Sequence, residues 1–202
     1  YGYRASPHYA TCVDCHMPSY GATEACGFRG YIPPTRDSST IRHHAIEGTT
    51  PHFLQNAVSL RIDARLENEL LTADVTVLND KTGHHVPDGT IRNMILLVTA
   101  RRLEDLEDLA YQGKQFVHDL GGVGDPAQGY FAGLPGKLYG RVIHDQQGNA
   151  PVLFTEAVGV LWDNRIAALA ADSSRYTFAV PPGEGTYEVI ARLIYRRAFR
   201  FL

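Results

Sequence analysis

From about residue 57 onward come stretches in which apolar residues recur at every second position, and this alternation restricts the chain more than any other feature does. In LTADVTVLN, residues 71–79, Ala73, Val75 and Val77 fall on one side of an extended chain, with Thr72, Asp74 and Thr76 on the other. A period of two describes a strand with one face in a core and one in water. RYTFAVP repeats it through Tyr176, Phe178 and Val180, and TYEVIARLIYR through Tyr187, Val189, Ala191, Leu193 and Tyr195. Further strands are expected near 57–66, 91–103, 138–144 and 154–162, with turns at NDKTG, DQQGN and PPGEG. RRLEDLEDLA, residues 101–110, has apolar residues at helical spacing but equally suits a strand end and a turn. Its carboxylates Glu104, Asp105, Glu107 and Asp108 read as a solvated face. About seven short strands with glycine and proline turns predict a mainly β fold, an antiparallel immunoglobulin-like β-sandwich.

Residues 1–56 follow a different rule. They are rich in Gly, Pro, Ser, Thr, Tyr and His and show no sustained period, and GYIPPTRDSST at 30–40 reads as an extended loop. Such a segment buries too little apolar surface to offset its ordering entropy and needs something to wrap around. The expected division is therefore a loop-rich segment, 1–56, and a sandwich, 57–202. A start at Tyr1 and an apolar finish, RRAFRFL, are expected of a processed or partial chain. A net charge of −3 gives no basic footprint for nucleic acid. The apolar run MILLVTA at 94–100 is far shorter than the ~20 residues that cross a bilayer.

The core for the first segment is offered by Cys12-Val-Asp-Cys15-His16. This is the CxxCH arrangement of covalent haem attachment. Two intervening residues let both sulfurs reach the vinyl groups on one porphyrin edge, and the next residue swings beneath the ring to meet the iron. The motif predicts haem c held through Cys12 and Cys15 with His16 as an iron ligand. It also predicts an extracytoplasmic location, in the periplasm, at the cell surface or outside the cell, since such attachment is made outside the cytoplasm. A competing reading is a zinc site of Cys12, Cys15, Cys26 and a histidine. Cys26 stands alone, without the second closely spaced pair such modules carry, and reads better as a free or packed thiol.

For the sixth iron position, Met17 adjoins His16 and cannot reach the opposite ring face. Met94 sits in an apolar strand and reads as core, so the candidate is a histidine. Eight others exist, at 8, 43, 44, 52, 84, 85, 118 and 144.

SPHYATCVDCHMP, IRHHAIEG at 41–48, GHHVPDG at 83–89 and VPPGEGTYEVIARLIYRRA together resemble the multihaem c-type cytochrome family. That resemblance implies a haem segment followed by a C-terminal β-sandwich. It places His44 at the distal iron ligand, with His43 next, and His8 at a position that serves a different haem. His84, in its Gly-His-His-Val-Pro-Asp-Gly turn, is implied either to ligate or pack against a haem or to stabilise the turn. The departures are a single CxxCH, Ile46 where an aromatic is usual and Asp88 where threonine is usual.

A haem with histidine on both faces has no open position, so the expected role is electron transfer rather than catalysis. The expected partners are other cytochrome chains, redox proteins, or further copies in an oligomer or filament. Two alternatives stand beside it: a haem subunit of an extracytoplasmic oxidoreductase with an open iron site, and a zinc-stabilised binding module. No GxSxG and no phosphate-cradling glycine loop supports a second chemistry.

Overall fold

In the computed structural model, which describes residues 4, 6–7, 9–24, 30 and 32–200, Ala73, Val75 and Val77 are fully enclosed. Thr72, Asp74 and Thr76 between them stay half-buried. These residues belong to the second of two compact units, Tyr1–Asn56 and Ala57–Leu202. Its strands are β1 (Ser59–Glu67), β2 (Leu70–Leu78), β3 (Asn93–Arg102), β4 (Gly136–His144), β5 (Gly159–Asp163), β6 (Ala171–Ala179) and β7 (Tyr187–Arg196). Every pairing is antiparallel, in sheets of order β1-β2-β6 and β5-β4-β3-β7. The fold is a mainly β antiparallel sandwich.

The core between the sheets joins Val75 and Val77 of β2, Leu96 and Val98 of β3, Tyr139 of β4, and Tyr176 and Phe178 of β6. Met94 lies there too, 5 % exposed. The run MILLV on β3 breaks the alternation because both faces are covered: Ile95 and Leu97 point away from the main core, into a second cluster with Val117, Leu138, Val142 and Phe199. The ambiguous stretch at 101–110 is a strand end followed by a turn, with Leu109 N donating back to Ala100 O.

The β1–β2 hairpin turns on Asn68 and Glu69, at φ 50° and 60°. Left-handed conformations at both centres match the twist of the flanking strands. They strain Glu69 more than Asn68, whose short polar side chain suits that region. A charged contact ties the two sheets together. Lys137 Nζ of β4 lies 2.7 Å from Asp172 Oδ1 of β6, and Tyr139 Oη donates to Asp172 Oδ2 across 2.8 Å.

Candidate functional site

In the first unit, CVDCH forms a short helix, α1 (Cys12–His16), and its N-terminus explains why. Thr11 Oγ1 accepts from the Asp14 amide, while Asp14 Oδ2 accepts from the Thr11 amide at 2.9 Å and its hydroxyl at 2.7 Å. This reciprocal cap satisfies amides that a helix start leaves open. The Thr11 hydrogen bonds hold the Asp14 carboxyl below its ordinary range, with Arg42, 3.5 Å away, adding to the effect.

Residues three apart share a helix face, so this turn places Cys12 and Cys15 side by side. Both thiols are free and exposed. His16 closes the turn, half-buried, its Nδ1 2.5 Å from the Glu47 carbonyl oxygen and its ring 5.0 Å from that of Phe53 on α2 (Pro51–Gln55). A carbonyl only accepts, so Nδ1 donates in this contact, and the neutral tautomer it selects has its lone pair on Nε2. That is the tautomer a metal-ligating histidine uses when a backbone oxygen orients it.

His43 has the opposite polarity. The Ala45 amide donates to its Nδ1 at 3.2 Å, which leaves the neutral ring's proton on Nε2, and its ring meets Tyr20 edge-on at 5.9 Å. The segment carrying His43 and His44 is tied to the residues after α1. Ser19 bridges Arg42, and the His43 amide donates to Pro18 O at 2.9 Å. His44 is exposed.

His84 belongs to the second unit. Its carbonyl accepts from Asn79 Nδ2 at 2.8 Å and Thr82 Oγ1 at 2.9 Å, and its Nδ1 donates to the His85 carbonyl at 2.8 Å. Asn79, fully buried, therefore organises the GHHVPDG turn. His118 caps a turn by accepting from the Leu120 amide, and His144 donates to the Asp145 carbonyl. His8 and Cys26 lie outside the described residues.

The structure thus brings Cys12, Cys15 and His16 onto one helical turn and holds the 42–47 segment beside it through Pro18, Ser19 and Glu47. Glu47 and Phe53 were not singled out from sequence; a backbone carbonyl leaves no signature in residue type. Among the described residues, no group of three or more His, Cys, Asp or Glu is placed to hold a metal ion by itself. Among them, too, no helix is long and apolar enough to cross a membrane.

No protein-family model matches the chain, and no curated protein does. Among solved structures it is similar to a penta-heme cytochrome c552 from Thermochromatium tepidum, at 19 % identity and a TM-score of 0.61. The match covers 98 % of this chain and 43 % of that one. The likeness is one of fold. The chain spans less than half the length of that cytochrome.

Proposed function

We propose that the first unit holds a covalently attached haem c and that the chain transfers electrons through it. One observation carries the reading: His16, with its Nδ1 proton held by the Glu47 carbonyl, ends the same helical turn that presents two exposed thiols. The packing supports it. Ile41 is the buried apolar side chain among the unit's described residues, whereas Tyr9, Val13, Tyr20, Ile32 and Ile46 are exposed. A unit with so little core of its own suits a large apolar cofactor as its centre.

Haem c supplies a one-electron iron couple. In this assignment Cys12 and Cys15 tether it and His16 binds one face of the iron. His44 binds the other face, ahead of His43, whose Nδ1 is engaged by the Ala45 amide. Two histidine ligands leave no open position, which favours a carrier over a catalyst. The likeness to a multihaem cytochrome fold supports a place in a larger haem assembly, with other cytochrome chains as partners and an extracytoplasmic location. His8 and His84 are then the residues assigned to neighbouring haems.

A pyridine haemochrome spectrum, with haem counted against polypeptide, tests the reading. One haem c per chain is expected, and zero ends it. Carbon monoxide separates the two haem roles, since a reduced carrier with both positions filled refuses it and an open-site oxidoreductase subunit binds it.

A further inference from the structure

The inner face of β1 is covered at Leu60, which packs against the main core, but not beyond it. Ile62, Ala64 and Leu66 lie opposite Val75, Ala73 and Leu71 of β2, and directly paired residues share a face of the sheet. The β2 residues are enclosed, at 0 %, 0 % and 6 % exposure, yet Ile62 is 41 % and Leu66 50 % exposed. The facing sheet, whose β7 comes near β1, therefore still leaves Ile62, Ala64 and Leu66 uncovered.

That facing sheet ends at β7, whose ten residues pair in unbroken register with β3 alone. Leu103 N donates to Thr186 O at 2.9 Å, and bonded pairs alternate along an antiparallel ladder. The register consequently turns the backbone groups of Tyr187, Val189, Ala191, Leu193 and Tyr195 outward. Among the described residues none of these five bonds to another strand. The opposite edge, β5, is half as long and lies beside a register shift, a form that discourages pairing. Among the described residues β7 has no such protection.

We propose that the open side between β1 and β7 takes one extended strand from another polypeptide, with apolar residues alternating with carboxylates. Its apolar side chains cover Ile62, Ala64 and Leu66, and its backbone pairs with the outward groups of β7. The carboxylates follow from charge. On the outer face Glu188 is already held by Arg101 at 2.6 Å, while exposed Arg192 forms no ion pair among the described residues. A second copy is a poor occupant, because a symmetric β7 pairing brings two β1 strands into one gap. The inference is independent of haem.

Hydrogen exchange on the full chain tests it, with a peptide of about nine residues alternating glutamate and valine as the probe. With peptide at about 100 times its Kd, the five outward amides should slow about 100-fold. Ile62→Lys should abolish the slowing with the fold intact by circular dichroism, and Ala191→Pro, which removes one outward donor, should weaken it. Three results overturn the proposal: no slowing, slowing that survives Ile62→Lys, or outward amides already slow in the free protein. In the last case, concentration dependence would assign the edge to a second copy and its absence to this chain's own residues.

Discussion

His16 Nδ1 lies 2.5 Å from the carbonyl oxygen of Glu47, 31 residues further along the chain, so a backbone group orients the imidazole that ends the CVDCH turn. The bond links the helix to the 42–47 segment, where the ligand for the other face of the iron is assigned. With haem bound, His44→Ala should convert a low-spin spectrum to one that binds carbon monoxide on reduction. His43→Ala should leave the spectrum low-spin, because its Nδ1 already accepts from Ala45. The reverse pair of spectra would move the ligand to His43.

The cap on α1 should respond to acid. Asp14 is held below its ordinary value of 3.8, chiefly by the hydrogen bonds from Thr11. A depressed folded-state value contributes stability above the unfolded one, lost as pH falls through the folded value. The Cys15 and Met17 amides, which close on Thr11 O and Val13 O, should lose exchange protection below that pH. Asp14→Asn should show weak protection at every pH; an acid response equal to that of the unmodified chain would disprove the link.

The Lys137, Asp172 and Tyr139 contact spans the two sheets, and its members should differ in weight. Tyr139→Phe removes one hydrogen bond but leaves Asp172 with Lys137, a loss of about 1 kcal/mol. Asp172→Asn leaves a half-buried lysine without its counter-ion, a loss of about 2 kcal/mol. Each kcal/mol lowers the melting temperature of a unit this size by roughly 2–4 °C. Calorimetry of both variants should show the larger drop for Asp172→Asn.

Tyr176 should stay protonated well into alkali. Burial pushes its phenol up to about 12, and burial, with the Asp172 charge behind it, raises Tyr139 further. A raised folded-state value contributes stability that is complete below the unfolded value, near 10, and fades as pH rises through the folded one. Phenolate absorbance from these two residues should therefore appear together with the loss of the far-ultraviolet β signal. Ionisation of Tyr139 or Tyr176 near pH 10 in the folded protein, seen as its loss in the matching phenylalanine variant, would contradict their enclosure.

The sandwich was legible because period two needs only neighbouring positions: Ala73, Val75 and Val77 declare their face within five residues. Other features were not legible, each for a physical reason. The β1–β2 turn uses Asn68 and Glu69 without the glycine that marks such turns. Ile62 and Leu66 have the spacing of core residues, but their exposure depends on where a different sheet ends. The partner of His16 is a main-chain oxygen, indifferent to side-chain identity. For the candidate site, the spacing of Cys12, Cys15 and His16 was readable as local chemistry. Loop geometry at His43 and His44 was not, since no period connects residue 43 to Pro18.

The most direct test is mass spectrometry of the protease fragment containing Cys12 to His16, from protein made in cells able to attach haem. This fragment should carry one haem through both sulfurs. A fragment at the bare mass of its amino acids, with both thiols open to alkylation, would contradict it.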